Sequence, residues 1–167
     1  MLAIRAHAKG RVFGSDFCHP MLIAAKQKAG SVSPFFEADA LHLPLRDRSL
    51  DAITVAFGFR NLANYENGLR ELKRVLKRGG VAAILEFSQP PNPIFNAAYG
   101  FYSRNILPRV GGLISGASDA YTYLPDSVRK FPDAPGLAAK MTEAGFTDVS
   151  FERMTFGIVA LHTGRIG

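Results

Sequence analysis

The chain has 167 residues, about the length of one ordinary domain, with 47% hydrophobic and 20% charged residues. This composition excludes an intrinsically disordered protein, because such chains carry too few apolar side chains to build a core. The net charge of +6 does not indicate a nucleic-acid binder, since the lysines and arginines are scattered without a dense basic arm.

The single cysteine, Cys18, excludes an intrachain disulfide and indicates a reducing compartment. A secretory signal pattern is not recognisable at the start of the chain. Uncharged apolar stretches also fall short of the ~20 residues that span a bilayer. These features predict a cytoplasmic protein whose contact with a membrane would be peripheral, at the inner face.

Strands and helices alternate in the first half of the chain, as the apolar patterns predict. The expected order is strand 11–16, helix 19–28, strand 33–38, an irregular loop over 41–49, and the β-branched strand 50–57. Pro20 is acceptable in the first turn of the helix because the first backbone N–H groups of a helix have no partner within it.

The second half begins with an amphipathic helix over 65–77, which Gly79 and Gly80 are expected to end. The remaining predicted segments are strand 81–87, an aromatic-rich helix over 94–107, a glycine-rich segment over 108–123, helix 133–144, and strands 147–154 and 157–163. The last two strands are joined by a short connection, and such strands are normally antiparallel.

These elements predict an α/β fold, with a mostly parallel sheet covered by helices on both faces and an antiparallel C-terminal strand. A linker that would separate two domains is not apparent, so residues 1–167 are predicted to be one domain, with 94–130 as a lid or insertion. Ligands of such sheets bind at the carboxyl ends of the strands. Segments 15–17, 38–43, 56–61 and 85–88 are placed there.

Two acids lie at the ends of predicted strands, Asp16 as the last residue of the first and Asp39 just after the second. Asp16 could accept hydrogen bonds from both hydroxyls of a ribose, and a helix N-cap is an equally good interpretation. Asp39, in the loop ADALHLP, could face an adenine edge together with the backbone N–H of Ala40. Its alternative role is an Asx-turn.

The segment FGFRN, residues 57–61, is the sharpest local feature. Gly58 would allow a close backbone approach or a positive φ at the strand end. Arg60 and Asn61 would place hydrogen-bond donors at the mouth of a pocket. A surface arginine beside a turn is an equally good interpretation of the segment alone.

The chain closely resembles the UbiE-type ubiquinone/menaquinone biosynthesis C-methyltransferases. The resemblance covers nearly the whole sequence in order, and FGFRN, LEFS and the terminal GIVALH are its specific motifs. The acid after the first strand and the ADA-x-x-LP loop are shared by many S-adenosylmethionine (SAM)-dependent methyltransferases. The resemblance implies a Rossmann-like methyltransferase sheet and methyl transfer from SAM to a ring carbon of a polyprenyl benzoquinol or of demethylmenaquinol.

Residue roles follow from the same resemblance. It implies that cofactor binding involves residues at three strand ends, namely Asp16, Phe17, Met21, Asp39, Ala40, Ala56 and Phe57. Arg60 and Asn61 resemble the active-site pair, and Asp119 precedes Tyr121 and Tyr123 in a segment expected over the substrate. No metal site is expected.

The implied reaction needs an activated ring carbon, which is nucleophilic only when a neighbouring hydroxyl is at least partly deprotonated. Arg60 would stabilise the developing phenolate, Asn61 would orient it, and a water molecule or Asp119 would accept the proton. His162 could also act as a base, but a lone histidine in a terminal strand is more often structural.

Family members begin with a helical region and a strand that runs into an acid-x-G-x-G loop, which approaches the methionine part of SAM. The first strand here corresponds to the second strand of the family, so the chain is expected to be N-terminally truncated. In the family, that missing strand is the central one of the sheet, and unpaired strand edges favour association.

Three other functions are weighed against the enzyme. A catalytically inactive methyltransferase remnant could act as a binding or scaffold protein, and then would show no saturable SAM binding. A dinucleotide-binding domain is disfavoured because G-x-G-x-x-G is absent. A basic nucleic-acid binder would show a steep salt dependence. The expected partners are the lipid quinol, a second copy of the chain or a quinone-biosynthesis complex, and the membrane surface, but no nucleic acid.

Overall fold

A computed structural model describes residues 6–29, 34–102, 105 and 125–167. The chain forms two compact units, residues 1–45 and 46–167, and each is described by itself. Within the described residues, no helix combines the length and the apolar character needed to cross a membrane.

The first unit is a β-α-β arrangement, as predicted. Strand β1 (Gly14–Asp16) is followed by helix α1 (His19–Ala29) and strand β2 (Phe35–Glu37). The two strands are parallel, with Asp16 opposite Glu37, and the rings of Phe13 and Phe36 lie 5.5 Å apart. Because the strands are parallel and in register, their carboxyl ends lie at the same edge.

The second unit contains a four-stranded sheet and several helices. Its elements are β3 (Leu50–Ala56), a 3₁₀ turn (Phe59–Asn61), α2 (Tyr65–Val75), β4 (Leu76–Phe87), α3 (Pro93–Phe101), α4 (Ala134–Glu143), β5 (Thr147–Met154) and β6 (Val159–Arg165). Residues 125–130 are also helical.

The strand order in this sheet is β3-β4-β6-β5. Strands β3 and β4 are parallel, whereas β6 is antiparallel to both of its neighbours, β4 and β5. The antiparallel strand at the end of the chain is therefore confirmed, and β5 has the predicted bounds.

The core of the second unit lies between one face of the sheet and helices α2 and α4. Leu69 and Leu72 of α2 and Leu137 and Met141 of α4 are buried against Ile84 of β4. Every second residue of β4 from Ala82 to Glu86 is buried, as expected for a strand with one face on a core. Each fully buried leucine contributes about 1.5–3 kcal/mol relative to an exposed one.

The end of α2 corrects the prediction for residues 65–77. The helix stops at Val75, and Leu76 is already extended and paired with Leu50 of β3. The carbonyls of Arg74 and Val75 accept hydrogen bonds from the N–H groups of residues 48 and 49, at 2.9 and 2.8 Å. Those distant bonds satisfy carbonyls that a glycine cap was expected to serve, so the helix ends four residues before Gly79.

Gly79 and Gly80 lie in an irregularity of β4 instead. The pairing of β3 with β4 shifts between Leu50, opposite Leu76, and Ala52, opposite Val81. Gly79 takes a φ of 75° inside the extra residues, a conformation that glycine adopts without a Cβ penalty. The two glycines thus accommodate a bulge at the start of the strand.

Candidate active site

In the first unit, two carboxylates lie at one edge of the small sheet. Oδ1 of Asp16 accepts a hydrogen bond from the backbone N–H of Cys18 at 2.9 Å, and Oδ1 of Asp39 accepts one from Leu41 at 2.8 Å. The N–H of Ala38 donates to the carbonyl of Asp16 at 3.1 Å, which joins the two loops. The Asx-turn considered for Asp39 is present, and Asp16 forms one as well.

Each turn uses one oxygen of its carboxylate. Asp16 is exposed, and its Oδ2 makes no hydrogen bond to any residue described in this unit. Beside it, Phe17 and Met21 expose 75% and 59% of their surface, while Ala40 is half-buried. The edge therefore combines an available carboxylate oxygen with apolar side chains, a pairing suited to a ribose and a planar base.

In the second unit, Phe57 follows the end of β3 in a left-handed conformation, with φ 56°. The positive φ therefore falls on Phe57, whereas Gly58 has a φ of −122°. Left-handed backbone costs a non-glycine residue roughly 1–2 kcal/mol. The N–H of Phe57 still donates to the carbonyl of Leu85 at 2.9 Å, and its ring lies 4.8 Å from that of Phe87.

This backbone turn brings the side chain of Arg60 back over the end of β4. Nη1 of Arg60 donates to Oε2 and Oε1 of Glu86 at 3.1 and 3.3 Å and to the carbonyl of Phe57 at 2.6 Å. Nε lies 3.4 Å from Oγ of Ser127. Only 10% of the Arg60 side chain and 1% of that of Glu86 are exposed. The guanidinium is thus an anchored, nearly buried group and not a mobile surface arginine.

Glu86 was not among the predicted site residues. Besides the guanidinium, its carboxylate accepts hydrogen bonds from the backbone N–H groups of Arg60, at 3.1 Å, and Phe87, at 3.0 Å. A signal was present in the sequence, because Glu86 has the same parity in β4 as Ala82 and Ile84 and so points an acid into the core. A buried charge requires a partner, and the LEFS and FGFRN motifs supply the two halves of the pair.

Asn61 closes the 3₁₀ turn, its N–H donating to the carbonyl of Gly58 at 3.1 Å, and its side chain is exposed. The hydroxyl of Tyr65 donates to the carbonyl of Arg60 at 3.3 Å, which ties the turn to the start of α2. Ala56 is exposed at the end of β3. Asn61 is therefore next to the anchored arginine and accessible.

The remaining predicted residues divide into two groups. Asp119, Tyr121 and Tyr123 lie outside the described residues. His162 of β6 is in the core, 1% exposed, and its Nε2–H donates to the carbonyl of Ala134 at 2.9 Å. Burial holds the pKa of His162 below its usual value. This is the structural role that the sequence favoured for His162.

Sequence comparisons match the chain to one family of methyltransferases. A sequence model described as the ubiE/COQ5 methyltransferase family matches residues 1–165. The demethylmenaquinone methyltransferase of Thermus thermophilus is 49% identical over 98% of this chain, and that of Deinococcus radiodurans is 47% identical over 92%. The ubiquinone/menaquinone biosynthesis C-methyltransferase UbiE of Idiomarina loihiensis is 42% identical over 96%. The chain spans 76%, 64% and 66% of these relatives, respectively.

Solved structures show the same fold at much lower identity. A SAM-dependent methyltransferase from Aquifex aeolicus aligns over 95% of this chain and 70% of its own length, with a TM-score of 0.62 and 19% identity. The phosphoethanolamine N-methyltransferase 2 of Haemonchus contortus, in complex with SAM, aligns over 99% of this chain and 45% of its own, with a TM-score of 0.72 and 10% identity. The predicted Rossmann-like methyltransferase fold is therefore confirmed.

Proposed function

The chain belongs to the ubiE/COQ5 methyltransferase family, and from this premise we propose that it transfers the methyl group of SAM to a ring carbon of a polyprenyl benzoquinol or of demethylmenaquinol. The names of its relatives support both acceptor classes, because the Thermus and Idiomarina proteins are named for menaquinone and for ubiquinone/menaquinone synthesis. The proposed substrate is thus a lipid quinol.

The first unit has the groups that SAM would need. Asp16 keeps one carboxylate oxygen for ribose hydroxyls, and Phe17 and Met21 present apolar surface beside it. Asp39 and Ala40, at the same edge, would contact the adenine. In the second unit, Ala56 and Phe57 are proposed as cofactor contacts from the family resemblance alone. When bound, SAM supplies an electrophilic methyl group on a sulfonium.

Activation of the acceptor is assigned to Arg60. The Nη1 and Nε atoms of its guanidinium are bonded to protein groups, whereas Nη2 has no hydrogen bond among the described residues. Its two N–H bonds are available to a substrate hydroxyl, whose developing negative charge they would stabilise. This anchored guanidinium with an unoccupied edge is the observation on which the proposal depends.

Other predicted residues complete the mechanism as part of the proposal. The exposed side chain of Asn61 would orient the same hydroxyl. Asp119 or a water molecule would accept its proton, and Tyr121 and Tyr123 would lie against the quinol ring. Loss of the hydroxyl proton would raise the electron density of the ring carbon, which would take the methyl group as the carbon–sulfur bond of SAM breaks. The proton carried by that ring carbon would then leave to solvent, which restores the aromatic ring.

Radiolabelled methyl transfer tests the proposal, with SAM as donor and demethylmenaquinol or a demethylated benzoquinol as acceptor. Arg60→Ala should lower kcat by roughly 10²–10³-fold, the usual effect of removing one oxyanion donor. Arg70→Ala, an exposed arginine on α2, is the matched control and should keep its activity. An Arg60→Ala rate close to that of the wild type would contradict the assignment.

The same assay distinguishes the alternative, a catalytically inactive binding or scaffold protein. Calorimetric titration with SAM measures cofactor binding independently of turnover. A wild-type chain that transfers no methyl group to either quinol would exclude the proposed activity. Absence of saturable SAM binding together with absence of turnover would favour the inactive scaffold.

A further inference from the structure

We propose that Glu86 is a positioning residue for methyl transfer, because its buried carboxylate holds Nη1 of Arg60. Among the described residues, Nη2 then has no hydrogen bond and is available to the acceptor. The inference rests on the proposed function and adds a residue to it. Glu86 would not contact the substrate itself. It would act through Arg60 and through the backbone of the turn that bears it.

The carboxylate of Glu86 accepts four hydrogen bonds. Oε1 accepts from the backbone N–H and from Nη1 of Arg60, and Oε2 accepts from Nη1 of Arg60 and from the backbone N–H of Phe87. Both ends of Arg60, its main chain and its guanidinium, are therefore held by one side chain. The backbone bond to Phe87 ties that side chain to the end of β4, so the whole arrangement has little freedom.

The position of the pair in the fold favours a functional role over a purely stabilising one. A buried ion pair is weak support for stability, since apolar residues of similar volume are often as good. Ala82 and Ile84, at the preceding core-facing positions of β4, are apolar. The charge appears only at the carboxyl end of the strand, where ligands of such sheets bind, and beside the strained backbone of Phe57.

The charges of Arg60 and Glu86 decide in which direction a mutation of Glu86 should change the stabilisation of the phenolate. Arg60 and Glu86 together are neutral, so the site stabilises a phenolate through directed N–H bonds and not through a net positive charge. If net charge were what mattered, neutralising Glu86 would improve the site, because an uncompensated Arg60 would attract the phenolate more strongly. If position matters, the same change would damage it.

Glutamine cannot reproduce this geometry. The amide of Gln has one acceptor oxygen and one NH₂ donor, and the partners on both oxygens of Glu86 are donors. The NH₂ group of glutamine would replace one of the two oxygens. It would then face two donors, Nη1 of Arg60 and the backbone N–H of either Phe87 or Arg60, with no acceptor between them. The guanidinium is expected to shift, and a displacement of about 1 Å at an active site can cost 10²-fold in rate.

The test compares Glu86→Gln and Glu86→Asp in the full chain with Glu66→Gln as matched control. Glu66 also pairs with a cation, Lys140, at 2.6 Å, but its side chain is 54% exposed. Initial rates of methyl transfer to demethylmenaquinol are measured against pH and SAM concentration. Thermal unfolding identifies any variant that does not fold; Glu86→Asp keeps the charge and decides the question if Glu86→Gln does not fold.

The inference predicts that both Glu86 variants lose at least tenfold in kcat, while the KM for SAM stays within about twofold. The acidic limb of the rate profile, which reports ionisation of the bound acceptor, should move to higher pH in Glu86→Gln. Glu66→Gln should match the wild type. A limb that moves to lower pH with kcat maintained, or full activity in Glu86→Asp, would overturn the positioning role.

A second measurement separates this inference from the proposed function. Arginine side-chain ¹⁵N NMR reports how freely a guanidinium rotates and exchanges its protons, whether or not the protein turns over. Arg60 should be restrained in the wild type and mobile in Glu86→Gln. If the wild type transfers no methyl group, the proposed activity fails, whereas an Arg60 signal equal in both proteins would refute the positioning role itself.

Discussion

Buried His162 should make the stability of the second unit depend on pH. Its Nε2–H donates to the carbonyl of Ala134 at 2.9 Å, at the start of α4, and the ring packs 5.6 Å from that of Phe151. Burial is the main cause that lowers the pKa of His162, and the nearby charge of Arg153 acts in the same direction, although the bond to Ala134 opposes it. The folded state therefore prefers the neutral imidazole.

The sign of the effect follows from proton linkage. The unfolded chain takes up a proton near pH 6.5, the ordinary pKa of histidine, whereas the folded protein takes it up only at lower pH. The contribution of His162 to stability is complete above the unfolded pKa and is lost as the pH falls toward the folded pKa. Between about pH 7.5 and 5.5 the free energy of unfolding falls by at most about 1.4 kcal/mol through this group. This limit is set by the protonation of the unfolded histidine alone, whatever the folded pKa.

Urea unfolding followed by circular dichroism at both pH values measures this loss. The comparison is His162→Gln, whose amide can still donate to Ala134 but does not titrate. The other three histidines are common to both proteins and cancel in the difference. The wild type should lose more stability than the variant on acidification. Equal losses in the two proteins would refute the reasoning, since the titration of His162 would then be the same folded and unfolded.

Other predictions follow from single contacts. Asp16→Asn should weaken SAM binding about tenfold or more, because one acceptor of a charged hydrogen bond is lost; calorimetry measures this, with the exposed Asp148→Asn as control. Leu69→Ala, at a side chain with 0% exposure, should cost about 2–5 kcal/mol in urea unfolding. Gly79→Ala should cost about 1–2 kcal/mol, since the φ of 75° is strained for alanine although no atom lies within 4 Å of the new Cβ. Gly10→Ala, equally open but without a positive φ, should change the stability little.

Local pattern was sufficient for most of the secondary structure. Strand β5 has the predicted bounds, 147–154, and β1 and β2 lie inside their predicted ranges. The antiparallel direction of β6 was also foreseen, because a connection as short as Thr155–Gly157 cannot carry a chain back to a parallel start. In each case the deciding interaction is between residues close together in the chain.

Where the sequence pattern predicts the local structure wrongly, backbone hydrogen bonds to residues far away in the chain decide it. Helix α2 ends at Val75 because N–H groups from residues 48 and 49 reach its last carbonyls. The positive φ lies at Phe57 and not at Gly58 because the N–H of Phe57 stays paired with Leu85 of β4 while the chain turns. Neither partner is near in sequence, so propensity alone could not identify them.

The candidate site shows the same division. The sequence by itself determined the class of the fold, the family, and the strand ends where Asp16, Asp39 and Arg60 lie. Only the tertiary structure decided that Arg60 is nearly buried and paired with a carboxylate. Its partner Glu86 is 26 residues away in the chain and contacts it only when β3 and β4 pair. A buried charge is stable only beside its partner, and that partner is chosen by the packing of the sheet.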